Sequence, residues 1–292
     1  MSVRVSTNFG SRLSAARDLF GPLCVGIDPH PSLLAQAGWA DNAQGVANFC
    51  DRMMSAVAGR VTAIKPQSAF FERHGSAGIA VLERLLQGAA AAGTLTILDV
   101  KRGDIGSTMN AYAQAYLSPD SPLAADAITV SPYLGFESLR PALDLAAEHG
   151  RGVFVLALTS NAEGASVQHR GRPSVAEHVL ESVARQVPER GTASALADIG
   201  AVIGAGCGTA IDQLGLRAAI ATSTMPVLAP GVGAQGASPA DAARSLVGFT
   251  DRVLTPVSRG MLNAGLEVDD IAAQSLLWRA ELAEAMGTGT SP

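Results

Sequence analysis

Lysine is almost missing from this chain: of 21 basic residues, 19 are arginine and only Lys65 and Lys101 are lysine. Arginine serves wherever else a cation is wanted, so the two exceptions mark places where a compact ammonium does something a guanidinium does not. Aromatic residues make up only 4% of the 292 residues, which leaves an aliphatic, alanine-rich core as the means of folding. Positive charge is not in surplus. The net charge is −5 and the pI is near 5.5, so no basic face for nucleic acid is expected, while binding of one phosphate is still allowed. The three cysteines, Cys24, Cys50 and Cys207, are far apart, odd in number and without CxxC spacing. They read as buried thiols in a reducing cytoplasm. The five histidines form neither HxxxH nor HExxH, so no metal site is expected. No apolar run reaches the roughly 20 residues of a membrane span, and the first residues lack the apolar stretch of an export signal. The expectation is a cytoplasmic chain without a membrane partner.

What the chain does have is alternation. Short β-branched or aliphatic runs at 23–28, 61–65, 95–101, 127–130, 152–158, 199–204, 227–231 and 252–257 read as strands. Stretches of helical periodicity lie between them, at 44–58, 76–92, 107–117, 136–149, 174–187, 209–220 and 239–247, with a last one at 269–286. Eight βα units predict an α/β fold, a single (β/α)₈ barrel over residues 1–286 rather than an open sheet. An extra N-terminal helix is expected near 11–19. The small polar tail, 287–292, is expected to fray.

In such a barrel the chemistry sits at the C-terminal ends of the strands, and residues two apart on a strand share a face. The stretch "LTILDVKRGD" therefore sends Asp99 and Lys101 to the barrel mouth and Val100 outward, with Asp104 in the following loop. Lys65 ends the second strand, immediately before Pro66, which should stop the strand there. Neighbouring strands lie about 4.8 Å apart, so Lys65 can reach the carboxylate of Asp99. Asp28 ends the first strand in the same layer. A charge facing a barrel interior is unfavourable unless it is paired, and at an effective dielectric near 20 unit charges about 4 Å apart attract by roughly 4 kcal/mol. The pattern reads either as a structural ion-pair network or as a poised proton donor held by carboxylates. Confinement of both lysines to adjacent strand ends favours catalysis.

Two glycine-rich stretches describe a ligand. "PGVGAQG" follows strand seven, and "SRG" places Arg259 and Gly260 after strand eight, the usual phosphate position of these barrels. The alternative for the first is a tight turn. "GAGCGT" (204–209) lacks GxGxxG spacing and reads as a turn. The long polar segment 158–174 reads equally as a lid or as a solvated excursion.

The combination of DxKxxD at Asp99, Lys101 and Asp104 with "VGIDP", Lys65, "SPYLGFES", "ALTSN", "PGVGAQG" and "SRG" resembles the orotidine 5′-phosphate decarboxylase family, in its longer bacterial branch. The resemblance covers nearly the whole chain. It implies a lyase of de novo pyrimidine biosynthesis that removes CO₂ from orotidine 5′-phosphate without a cofactor, in a homodimer. It further implies that Lys101 protonates C6, with Asp99 and the neighbouring subunit's Asp104 beside the reacting carboxylate. Asp28 and Lys65 would bind the ribose, and Ile105 and Thr108 would cross the dimer interface. Ser160, or Thr159 in its place, would contact the base, Gln235 would close over base and phosphate, and Arg259 would bind the phosphate. DxKxxD alone is shared with magnesium-dependent sugar-phosphate enzymes of the same superfamily, and a non-catalytic nucleotide-binding barrel is the other rival.

Overall fold

Each of the eight aliphatic runs forms a strand: β1 (Leu23–Ile27), β2 (Ala63–Pro66), β3 (Leu95–Arg102), β4 (Ala127–Val130), β5 (Gly152–Leu158), β6 (Ile199–Ile203), β7 (Val227–Leu228) and β8 (Val253–Val257). In the computed structural model, which describes residues 8–189, 191, 195–233 and 236–288, every strand pairs in parallel with the next and β8 closes on β1. Helices follow the strands around the outside, as expected of a (β/α)₈ barrel.

Alternation along the strands makes two cores. Inward-facing Cys24, Ala63, Ile97, Ala127, Phe154, Val202, Leu228 and Leu254 fill the barrel, whereas Val25, Ile64, Leu98, Ile128 and their outward neighbours pack beneath the helices. The N-terminal helix Phe9–Phe20 closes the bottom. The Asn8 side chain caps it by accepting the Ser11 N–H, and Phe9 and Leu13 enter the inner core. The Phe9 ring meets Phe154 edge-on at 6.0 Å, a geometry worth about 0.5–1.5 kcal/mol beyond burial. With the bottom plugged, the barrel interior opens at its C-terminal mouth.

Three boundaries differ from the sequence expectation. Strand β2 ends on Pro66 rather than just before it: Pro66 pairs with Ile27, and beyond the strand the N–H groups of Gln67 and Ser68 donate to the carbonyls of Ile27 and Asp99, each at 3.3 Å. Proline forfeits one donor, and its neighbours carry the ladder on. Strand β7 stops at Leu228 instead of 231, because Pro230 lacks a donor and Gly231 turns to φ 115°. The helix expected at 209–220 is two short ones, Gly208–Gln213 and Arg217–Ala221, broken at Gly215 with φ 68°. Residues 289–292 of the expected frayed tail lie outside the described residues.

Candidate active site

The barrel mouth holds a cavity of about 340 Å³ floored by Val202, Leu228 and Pro256 and walled by Asp28, Lys65, Gln67, Asp99, Lys101 and Thr129. Strand alternation places these groups as expected: Asp99 and Lys101 face the cavity while Val100 packs in the outer core. The residue at the centre is Asp99. Its Oδ2 accepts from Lys65 Nζ at 2.9 Å and Gln67 Nε2 at 3.1 Å, and its Oδ1 accepts from Lys101 Nζ at 2.5 Å and the Thr129 hydroxyl at 2.8 Å. Four donors match the roughly four lone-pair positions of a carboxylate.

Burial by itself would discharge both members of the buried pair. For Lys65 it is outweighed by the attraction of Asp99 and Asp28 and by the hydrogen bond to Asp99, which together hold the ammonium above the ordinary lysine value. For Asp99, the charges and hydrogen bonds of Lys65 and Lys101 overcome burial and hold the carboxyl well below the usual range. The two lysines differ in access. Lys65 has a side chain only 8% exposed, whereas that of Lys101 is 45% exposed and reaches the open cavity. One ammonium completes the wall and the other can meet a ligand. Burial pushes the Cys24 thiol up to about 12 and the Cys207 thiol up to about 11, so neither supplies a ready thiolate.

Asp28 also lines the cavity, and its Oδ1 is buried without a hydrogen-bond partner. An orphaned buried acceptor is unfavourable by about 1–3 kcal/mol until a donor arrives, which suits a ligand hydroxyl. Ser160, Thr159 and Asn161 form the opposite wall. The Thr159 hydroxyl is already engaged: it donates to Asn161 Oδ1 at 2.6 Å and accepts from Gln168 Nε2 at 2.7 Å. Gly231 and Ser258 close the far side of the cavity, beside Arg259, which is exposed and outside the lining. Gly260 cannot be replaced: a Cβ there would lie 2.8 Å from the Trp278 ring, whose Nε1 donates to the Gly260 carbonyl at 3.0 Å. Trp278 of the last helix thereby fixes the turn that carries Arg259.

Not every expected residue meets in this cavity. Asp104 is half-buried in the loop after β3, where its Oδ1 accepts the Ile105 N–H at 2.8 Å, and it does not line the cavity. Ile105 is 62% exposed and Thr108 is exposed. Gln235 lies outside the described residues. Two participants were missed. Gln67 stands two residues beyond Lys65 and shares its face, and Thr129 is the second inward position of "AITV", a polar residue in an otherwise aliphatic strand. Thr129 does double duty, since its oxygen also accepts the Lys101 backbone N–H at 3.0 Å.

Fold and mouth together define the class: a (β/α)₈ barrel whose mouth carries side-chain ammonium groups set among carboxylates. Comparison with known proteins narrows this. Residues 21–270 match the model of the orotidine 5′-phosphate decarboxylase / HUMPS family. The orotidine 5′-phosphate decarboxylase of Streptomyces coelicolor is 48% identical over 279 residues, covering 95% of this chain and 98% of its own, and that of a Nocardioides species is 52% identical over 260 residues, covering 87% and 91%. A Streptomyces avermitilis crystal structure assigned to the same enzyme superposes with a TM-score of 0.89 at 48% identity, over 98% of both chains. The chain belongs to the orotidine 5′-phosphate decarboxylase / HUMPS family.

Proposed function

We propose that this chain decarboxylates orotidine 5′-phosphate to uridine 5′-phosphate without a cofactor, in de novo pyrimidine biosynthesis, with Lys101 protonating C6. The observation that carries the reading is the half-exposed Lys101 ammonium, held 2.5 Å from the buried Asp99 carboxylate at the wall of a plugged barrel. Loss of CO₂ leaves an electron pair on a ring carbon. An ammonium in place before the bond breaks stabilises that developing charge and then delivers its proton there, so no electron sink is required. The saturation of Asp99 by four donors, two of them ammonium groups, also argues against the magnesium-dependent rival, for which this carboxylate would have to ligate the metal.

In this reading Asp99 sits beside the substrate carboxylate, and Asp28 with Lys65 takes the ribose hydroxyls. The orphaned Asp28 oxygen supports that role. Ser160, or Thr159 in its place, takes the base, both lining the cavity. Arg259 and the glycine-rich turns at Gly231 and Gly260 take the phosphate, and Gln235 closes over base and phosphate. Binding energy from the remote phosphate can then be realised in the closed transition-state complex. The working form is a homodimer in the cytoplasm. Exposed Ile105, Tyr133 and Leu134 form an apolar patch beside Asp104, on two loops that touch where Gly103 meets the Ser131 carbonyl. A second copy seated there brings Asp104 to its neighbour's cavity, with Ile105 and Thr108 crossing beside it.

Release of CO₂ from carboxyl-labelled orotidine 5′-phosphate tests the reaction and the cofactor together. Turnover undiminished by excess EDTA is expected, as is no release by Lys101→Ala with uridine 5′-phosphate still bound within a few-fold of wild-type affinity. Wild-type protein that binds the nucleotide but releases nothing is a binding module instead, and loss of turnover in EDTA points to the metal-dependent branch.

A further inference from the structure

Lys101 is the one non-glycine residue among those described with a positive φ, at 45°. For an L-residue the left-handed region is unfavourable by about 1–2 kcal/mol, and it persists only where the surroundings enforce it. On the cavity side, Thr129 holds the Lys101 N–H and Asp99 holds its ammonium. Neither bond says why the backbone twists. The ladder does: β3 pairs with β4 at Leu98↔Ile128 and resumes at Arg102↔Val130, so three intervening residues on β3 stand opposite one on β4. The twist at Lys101 is needed to bring Arg102 into that advanced register.

Arg102 is fastened there at both ends. Its carbonyl accepts the Ser131 N–H at 2.8 Å. Its guanidinium, on the outer side of the barrel, pairs with Glu72 Oε1, lies 3.5 Å from the Tyr116 hydroxyl, donates to the Val100 carbonyl at 3.3 Å and sits 5.6 Å from the centre of the Tyr112 ring. Glu72 is itself fixed, because the Ser68 hydroxyl donates to the same oxygen at 2.5 Å. Ser68 and Glu72 belong to the segment that begins with Lys65 and Gln67. That segment holds β3 from both faces: Lys65 and Gln67 bond Asp99 inside, and Ser68 and Glu72 secure Arg102 outside.

We propose that Arg102, braced by Glu72, is a positioning residue that enforces the left-handed backbone of Lys101 and so aims its ammonium at the reacting carbon. The proposal rests on the decarboxylase reading and deepens it. Arg102 does not line the cavity. A misplacement of about 1 Å in a reacting group can lower a rate by roughly 100-fold.

The two-lysine composition gives a direct test. Protein labelled with ¹⁵N-lysine has two lysine backbone amides, Lys65 and Lys101, assigned by loss of one signal in Lys101→Arg. In Arg102→Ala, and in Glu72→Gln where the neighbours of Lys101 in sequence are unchanged, the Lys101 amide is expected to shift or split while that of Lys65 stays. The kcat per nucleotide site, with sites counted by uridine 5′-phosphate titration, is expected to fall at least about 30-fold, with KM within about 3-fold. Arg102→Lys keeps the charge toward Glu72, adds one lysine amide of its own to the two assigned signals, and should recover part of both changes; it serves in its place should Arg102→Ala not fold. A merely structural ion pair would lower the melting temperature and the number of sites while leaving kcat per site and the Lys101 amide unchanged, and that result overturns the proposal. Wild-type protein that released no CO₂ would instead sink the decarboxylase reading, with the amide shift still reporting whether Arg102 holds Lys101.

Discussion

Asp99→Asn is the sharpest perturbation of the site, because asparagine keeps the shape of aspartate and changes only what its oxygens can accept. In the native site each carboxylate oxygen faces two donors, Lys101 and Thr129 on one side and Lys65 and Gln67 on the other. Whichever way the amide is turned, its NH₂ faces one of these donor pairs. One ammonium loses its acceptor, and the other faces a neutral oxygen instead of a charge. Hydrogen bonds to charged groups contribute about 1.5–3 kcal/mol each, and removing one partner of a buried ion pair typically destabilises by about 3–5 kcal/mol. Lys65 is the buried partner here, with only 8% of its side chain exposed, so the larger range applies.

A loss of about 3–5 kcal/mol is a third or more of the stability of many domains. At roughly 2–4 °C per kcal/mol for a large domain it corresponds to a melting temperature lower by about 6–20 °C. Urea titration followed by circular dichroism, at one protein concentration so that any assembly equilibrium is held constant, measures the loss. The control is Asp41→Asn, which breaks the pair with Arg73 on the surface, where the side chains are 43% and 34% exposed. Solvent screening limits that pair to under about 1 kcal/mol. If Asp99→Asn costs no more than Asp41→Asn, the charge cluster is not a buried electrostatic unit and the reasoning fails.

The stability gap between wild type and Asp99→Asn should be level from about pH 5 upward until the variant's buried Lys65, no longer offset by the carboxylate, loses its proton. Asp99 has a depressed folded pKa, so its contribution is complete above the ordinary carboxylate value and is lost as pH falls through the folded one; Lys65 has a raised folded pKa, so its contribution is complete below the ordinary lysine value and is lost as pH rises through the folded one. Melting curves whose gap narrows as pH falls from 7 to 5 would contradict the depressed carboxyl of Asp99. Thr129→Val preserves volume but leaves the Lys101 N–H and one Asp99 oxygen short of a partner, with an expected destabilisation of about 1–3 kcal/mol and lower kcat at unchanged nucleotide affinity. Unaltered kcat there would show that Thr129 has no part in placing Lys101. Mixing inactive Asp99→Ala and Asp104→Ala proteins should restore activity, since one of the two mixed sites has both carboxylates intact; absence of rescue after demonstrated subunit exchange removes Asp104 from the neighbouring site.

Most of the site was legible because strand geometry is a two-residue code. Knowing that "LTILDVK" is a strand suffices to send Asp99 and Lys101 one way and Val100 the other, and an adjacent strand ending in Lys65 must bring its ammonium to the same layer. The same rule could have found Gln67 and Thr129, which were passed over because neither carries charge. What the rule cannot supply is departure from itself. The left-handed turn at Lys101 arises from a register shift between β3 and β4 that is set by contacts of Arg102 with residues 14 and 30 positions away, and no local feature of "DVKRG" marks it. Pro66 ends β2 as expected, one residue later than Lys65, but hydrogen bonds run on past it because Gln67 and Ser68 find the carbonyls of Ile27 and Asp99. The role of Asp104 is hidden in another way, since its expected partner atoms belong to a second copy of the chain.

The scarcity of lysine now has a physical explanation in one dipeptide. Lys101 and Arg102 are consecutive cations on opposite faces of β3, and exchanging them would ruin both functions. Outside the barrel, a planar guanidinium spans Glu72, the Tyr116 hydroxyl and the Tyr112 ring at once, which a point charge with three donors on a flexible stem cannot do. Inside, the requirement is reversed. A guanidinium would keep its proton under all working conditions and would demand a broad carboxylate face that Asp99, already shared with Lys65, Gln67 and Thr129, does not have to give. Lys65 completes the pattern, being enclosed where there is room for a compact ammonium between Asp99 and Asp28. In a chain that otherwise uses arginine, lysine remains at the two positions where a compact ammonium fits a carboxylate already shared among four donors.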